Sequence, residues 1–306
     1  MNKSIYMFWH SKKNHFNFGD DINPYIIENL SGKKVKRVMV FRKKRNIILN
    51  LVKITRGIAI GRYTFSAYIE YIRSFTNPDY IVCIGSILQN GFSEKAKIWG
   101  SGIIHSKSEV NQSKFYAVRG LKTKERINHL GYTFDGTIGD PAILLPIVFN
   151  PHINKSNKIG VIPHVIHYSD SVKKFNDNKY MLIDLSEPNI EKTIKLIKSC
   201  RYVISSSLHG IIVSHAYNVP ALCIQLDKEL AGDGIKFLDY YSSVGIKDYE
   251  PLKLNDSCFL SVKYFEDLFD EMKNYALPNV EVVSKIQKDL LSVAPFELCE
   301  KYKFDI

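Results

Sequence analysis

Two doubly wound α/β units with mainly parallel sheets are the fold class this sequence predicts, and three observations predict it. Short apolar runs of strand length alternate with helical patterns through most of the 306 residues. The runs are apolar throughout rather than alternating, as strands covered on both faces must be. The series also restarts near residue 158, after a polar, helix-poor stretch at 149–157.

In the first series, IYMFW (5–9) is the first strand and Asp21 to Leu30 a helix, with Asp20 as its N-cap. YIVCIGSI (80–87), IWGSGII (98–104) and FYAVRG (115–120) are further strands, each ending in glycine or polar residues. LKTKERINHLG then reads as a helix stopped by Gly131. In the second series, IGVIPHVI from residue 159 and YMLIDL (180–185) are strands. NIEKTIKLIKSC (189–200) is a helix, with Ile190, Ile194 and Ile197 on one face and Glu191 one turn from Lys195. The strand YVISSS (202–207), the helix HGIIVSHAYN (209–218) and the strand PALCIQ (220–225) follow. The expected division is a domain at 1–149, a linker at 150–157 and a domain at 158–306, around one cleft.

Apolar residues at 45% and charged residues at 24% exclude wholesale disorder. No stretch reaches the roughly 18 apolar residues of a membrane span. The opening MNKSIYMFWH has too short an apolar run for a signal-peptide core, so a cytoplasmic protein is expected. Five widely spaced cysteines (Cys83, Cys200, Cys223, Cys258, Cys299), with no C-x-x-C pair, read as reduced structural thiols.

Charge is concentrated at one end. Residues 1–62 hold fourteen Lys and Arg against three acids, so they carry the whole net charge of +11. Eight of the thirteen residues 33–45 are basic. Such a cluster suits phosphate-bearing partners or the inner face of an anionic membrane, and is equally compatible with a solvated lysine-rich surface. No nucleic-acid recognition module or basic–aromatic stacking pattern accompanies it, so nucleic acid is not expected as a partner.

Parallel sheets bind ligands at the carboxyl ends of their strands, so the residues there are the candidates. Ser205, Ser206, Ser207, Leu208, His209 and Gly210 lead from a strand into a helix, joining hydroxyls, an imidazole and the positive helix end. Arg119 closes FYAV, where it suits either a phosphate or a surface ion pair. His164 follows IGVIP, as a ligand or as a core histidine. Asn17, Gly19 and Asp20 follow the first strand, as a binding turn or as a helix cap. No Walker loop, G-x-G-x-x-G, H-E-x-x-H or G-x-S-x-G occurs. The pairs His164/His167 and His209/His215 lack a carboxylate or cysteine at ligand spacing, so no metal is expected.

In order along the chain, NFGDDINPYII, CIGSIL, IWGSGII, AVRGLKTKERINHLG, IGDPAILLP, IGVIPHV, VISSSLHGIIVSHAYNVPAL and a C-terminal LLSVAPFEL are present. Together they resemble the polysaccharide pyruvyl transferase family. The resemblance implies two Rossmann-like domains arranged as in GT-B glycosyltransferases. It also implies transfer of the enolpyruvyl unit of phosphoenolpyruvate to a sugar of a surface-polysaccharide precursor, closing a ketal with release of phosphate. Phosphoenolpyruvate would be a substrate, with no cofactor, and the acceptor a glycan carried on a lipid.

The resemblance assigns the donor site to His209 and Arg119, with His209 as general acid at a pKa near neutrality and Arg119 holding the anion. Asp20 is the corresponding base or hydroxyl-binding group on the acceptor side. Many members carry R-L-H-G where this chain has Ser207-Leu208-His209-Gly210, so Ser205 to Ser207 and Lys236 are the expected replacements. The alternative on the same fold is a nucleotide-sugar glycosyltransferase.

Overall fold

The computed structural model describes residues 4–10, 16–41, 47–77, 79–226, 230–254 and 261–303. The described strands are β1 (Ile5–Phe8), β2 (Val35–Arg37), β3 (Tyr80–Val82), β4 (Ala96–Trp99), β5 (Lys114–Val118), β6 (Thr137–Ile138), β7 (Ile159–Ile162), β8 (Tyr180–Leu182), β9 (Tyr202–Ser205), β10 (Ala221–Gln225) and β11 (Leu252–Lys253). They form two sheets, of order β2-β1-β3-β4-β5-β6 and β11-β10-β9-β7-β8. Every pairing is parallel, as the all-apolar runs require.

The strands end earlier than their apolar runs. β3 stops at Val82 and the apolar residues that follow enter the core from a loop. The IWGSGII segment is strand only to Trp99, because the backbone turns at Gly100 (φ 89°), where a Cβ would lie 2.1 Å from Pro141 Cδ. The first helix starts at Phe18, three residues before the sequence expectation. Asn17, not Asp20, is its N-cap, with a side chain that accepts from the Gly19 N–H at 3.2 Å. Phe18 is the reason: its fully buried ring belongs to the helix's inner face.

Several elements were not foreseen. β2 lies in the basic run, an edge strand of three residues whose lysines hide any alternation. The helices Ile47–Ala59 and Ser66–Thr76 carry apolar residues on their outer as well as inner faces, which blurs the helical period. Of the cysteines, Cys83, Cys200, Cys223 and Cys299 are free thiols, the first three buried, and Cys258 lies outside the described residues.

The largest core cluster runs from Met7, Phe18 and Trp99 through to Ile162, Ile197 and Tyr240, so it is shared by both sheets. Two helices from the second half of the chain reach the first sheet. Val280–Ser292 returns to it, where Trp99 Nε1 donates to the Leu290 carbonyl (3.0 Å) and Gln287 Nε2 to the Ile143 carbonyl (2.7 Å). Ile235–Val244 sits over the end of β5, with Ser242 Oγ accepting from the Leu121 N–H (2.9 Å).

Gly120 permits that second contact. A Cβ there would stand 1.7 Å from the Asp239 carbonyl oxygen, a backbone atom that cannot step aside. Gly120→Ala is therefore expected to destabilise the fold by about 3 kcal/mol, measured by denaturant unfolding. An unchanged midpoint would show that the helix does not approach this closely.

Asp140 opens the turn Pro141–Leu144, its Oδ1 accepting from the Ala142 N–H at 3.0 Å. Its Oδ2 is buried without a partner, and burial pushes the carboxyl up to about 6 despite that N–H and the Arg119 cation. The folded protein thus keeps this proton to about pH 6, whereas an unfolded aspartate releases it near pH 4. The cost of ionising it develops between those values and stays constant above them. Asp140→Asn keeps the capping oxygen and removes the charge. It should gain roughly 2–3 kcal/mol over wild type between pH 4 and pH 8 in unfolding experiments. A pH-independent difference would refute the assignment.

Candidate functional site

His209 lies in the first turn of the helix Leu208–Ala216, directly after β9. Its Nε2 is buried and has no hydrogen-bond partner. On the other side of the ring is Gly19, from the helix that follows β1: a Cβ at Gly19 would fall 2.1 Å from His209 Nδ1. The imidazole is therefore held between the first helix of one half and the helix start of the other. Burial, then Arg119, Lys236 and His164, push its pKa down to about 3. The sequence expectation of a value near neutrality is corrected: the ring is neutral at pH 7, because it is desolvated among cations.

The neighbouring groups repeat that pattern. His164 is pushed down to about 4 by burial, then by Lys236 and His167. Its Nδ1 accepts from the Ile166 N–H (3.4 Å), which leaves Nε2 to carry the proton in the neutral ring. Lys236, in the first turn of Ile235–Val244, is half-buried and held below the usual lysine range by burial and Arg119. It has no ion-pair partner among the described residues. Arg119, Lys236, His164 and His209 thus act on one another.

Arg119 is not at the surface. It is fully buried and bonded on all three nitrogens: Nε donates to Asp239 Oδ2 (2.9 Å), Nη1 to Ser86 Oγ (2.5 Å) and Nη2 to the Ile103 carbonyl (2.8 Å). Asp239 also accepts from the Thr123 N–H (2.8 Å) and hydroxyl (2.6 Å). Gly102 leaves room for the guanidinium, since a Cβ there would meet Arg119 Cζ at 2.4 Å. The expectation of a guanidinium free for an anion is corrected to a buried ion pair. Ser86, which is partly exposed, is its one contact toward the open side.

Most of the serine motif faces inward. Ser205 Oγ donates to the Ile162 carbonyl (2.7 Å), and Ser206 Oγ accepts from the His164 N–H (2.9 Å) and meets His167 Nδ1 (3.0 Å). Both hydroxyls fasten β9 to the end of β7. Leu208 is a core residue, 6% exposed. Gly210 is needed for packing, because a Cβ would lie 2.4 Å from Ser205 Oγ and 2.9 Å from Ile162 Cγ2. Ser207 is the N-cap of the helix but makes no side-chain capping bond, so the helix start keeps N–H groups for another acceptor.

Asn17 and Asp20 line a separate cavity of about 480 Å³ in the first half, with Trp9, Arg37, Phe41, Lys53, Arg62 and Tyr63. Arg37 lies over the Trp9 ring (5.8 Å) and Lys53 over Phe41 (4.8 Å). One helical turn connects this cavity to His209, since Gly19 touches the imidazole and Asp20 faces the cavity. Sequence reasoning missed Asp239 and Ser86, and although it counted Arg37, Lys53 and Arg62 in the basic excess of residues 1–62, it did not place them beside Asp20. GDGIKFLDYY displays Asp239 directly after the apolar pair Phe237-Leu238, yet nothing local ties it to Arg119, 120 residues away. The described part of the basic run is Lys33 to Arg37. Arg42, Lys43, Lys44 and Arg45 lie outside the described residues.

An uncharacterized protein of Acanthamoeba polyphaga mimivirus is 35% identical over 176 residues, spanning 54% of this chain and 60% of that protein. The family model for polysaccharide pyruvyl transferase matches residues 12–228, a span that contains Gly19, Arg119, His164 and His209. The chain belongs to the polysaccharide pyruvyl transferase family.

Proposed function

We propose that this protein transfers the pyruvyl group of phosphoenolpyruvate to a sugar of a surface-polysaccharide precursor, forming a ketal. The observation that carries the reading is the buried, partnerless Nε2 of His209 among three cationic or potentially cationic neighbours, in a chain of this family. A desolvated cluster of that sign favours a multiply charged anion of phosphate and carboxylate. Lys236 and the helix start at Ser207 bind the donor's anionic groups. Arg119 supplies charge from beneath and one exchangeable contact, where an anion would share Nη1 with Ser86. His164 Nε2–H is a further donor to the phosphate.

The reaction needs two hydroxyls. Carbon C3 of the enol takes a proton and C2 takes the first sugar oxygen, whose proton leaves to a base. The second hydroxyl then attacks C2, and the C2–O bond to phosphate breaks with its electron pair on the departing phosphate, which takes up the second hydroxyl's proton and leaves as hydrogen phosphate. His209 delivers the proton to C3, and for that it must first be charged. A bound anion opposes the effect of burial and of the three cations, so donor binding and protonation of His209 are coupled. Asp20, on the cavity side of the same helical turn, receives the hydroxyl proton. The acceptor glycan occupies the cavity, its sugar against Trp9 and any attached phosphate against Arg37, Lys53 and Arg62.

The reading carries a division into an acceptor half at 1–149 and a donor half at 158–306, joined through 150–157 in a GT-B arrangement. Two all-parallel sheets and a C-terminal helix that crosses back support it.

Calorimetry of phosphoenolpyruvate binding at pH 7, in buffers of different ionisation enthalpy, tests the proposal. Wild type should take up more protons than His209→Ala, by up to one, the variant accounting for protons exchanged by the donor itself. Equal uptake would remove His209 as the acid. Binding of a nucleotide sugar without binding of phosphoenolpyruvate would replace the reading with a glycosyltransferase. A second expectation concerns Gly19→Ala, whose methyl must displace the imidazole. Activity should fall about 10²-fold or more, with little change in affinity for the acceptor. Full activity in this variant would mean that the His209 position has no catalytic importance.

A further inference from the structure

Among the described residues, fourteen large apolar side chains are exposed, and nine of them fall between residues 47 and 75. They decorate the outer faces of the helices Ile47–Ala59 and Ser66–Thr76 and the turn between them, where Ile48 is 66%, Ile60 76% and Phe65 78% exposed. Isolated exposed leucines or valines need no explanation, but nine on two adjacent helices and the turn between them do. The inner faces are fixed. Ile54, Ala67 and Tyr71 pack with Met39, and Asn50 Nδ2 donates to the Tyr71 hydroxyl at 2.7 Å. The apolar face is therefore held outward by a built underside.

The charges these helices display are cationic. Residues 47–77 contain Lys53, Arg56, Arg62 and Arg73 and a single acid, Glu70. Glu70 is buried and lies 3.6 Å from Arg37, so it is not displayed with the apolar face. Apolar side chains beside cations, with no exposed carboxylate, are complementary to a surface that is hydrocarbon beneath and anionic on top.

We infer that these two helices seat the protein in the interface of an anionic lipid bilayer, their apolar side chains inserted and their cations at headgroup level. The helices are 13 and 11 residues long, and no described helix is long and apolar enough to cross a membrane, so the pair lies on the bilayer. The basic cluster of the sequence offered such a membrane charge alone, and the exposed apolar face adds insertion to it. A second copy of the chain fits less well. A self-complementary contact would oppose Arg56, Arg62 and Arg73 with one another and offer no carboxylate. Lys53 and Arg62 belong both to this surface and to the Asp20 cavity, so the seated protein opens that cavity at the headgroup layer. The inference stands on exposure and charge, independently of the reaction proposed above.

Sedimentation of the full-length protein with phosphatidylglycerol–phosphatidylcholine vesicles at low and high salt tests it. Binding should persist in part at high salt, and Ile48→Glu combined with Ile69→Glu should weaken it about tenfold or more. Both positions are exposed, and an unchanged melting curve would show that the double variant is folded. Phe65→Trp should give an emission blue shift on vesicle addition. Absence of vesicle binding overturns the inference. Binding that salt abolishes and the double variant retains, with no blue shift, reduces it to charge alone and overturns insertion. A wild-type dimer in solution that the double variant dissociates assigns the face to a second copy instead.

Discussion

The buried ion pair between Arg119 and Asp239 is the interaction on which the rest of the arrangement depends. It joins the end of β5 to the helix Ile235–Val244, from opposite halves of the chain, with both side chains fully excluded from solvent. Removing one partner from such a pair costs about 3–5 kcal/mol, since the survivor is left charged in the interior. Ser86, Ile103 and Thr123 complete the hydrogen bonding, which is the condition under which burial of two charges is tolerated. The consequence is positional. Asp239 fixes the helix over Gly120, and Lys236, one turn earlier on that helix, is thereby set toward His209 and His164.

That placement explains the electrostatics of the centre. Each group lowers the charge its neighbours can carry, and the Asp239 carboxylate is already committed to Arg119. The result is a pair of neutral imidazoles beside a lysine whose own charge is disfavoured. A site of this kind stores positive potential rather than positive charge.

Much of the fold was legible because strands of parallel sheets advertise themselves as uninterrupted apolar runs, as at Tyr80 and Tyr202. The centre was legible in part. His209 stood out because an imidazole at a helix start after a strand has few purely structural reasons to be there. Arg119 was found but its environment was not, because its partner is remote in sequence and the pairing is tertiary. The serines misled for a related reason: at a strand end a hydroxyl can serve a ligand or the neighbouring strand, and Ser205 and Ser206 serve the strand. The helices of residues 47–76 escaped notice because apolar residues on both faces remove the periodicity by which helices are recognised.

The return of the helix Val280–Ser292 to the first sheet has a consequence during synthesis. Trp99, Ile143 and Gly139 wait for Leu290, Gln287 and Ile286, which leave the ribosome roughly 145 to 190 residues later. At about 5–20 residues per second, the first sheet spends on the order of ten to thirty seconds with that flank uncovered. Over the same interval its core residues can meet other chains as readily as their own. The helix Val280–Ser292 is thus a late closure of the first sheet's core.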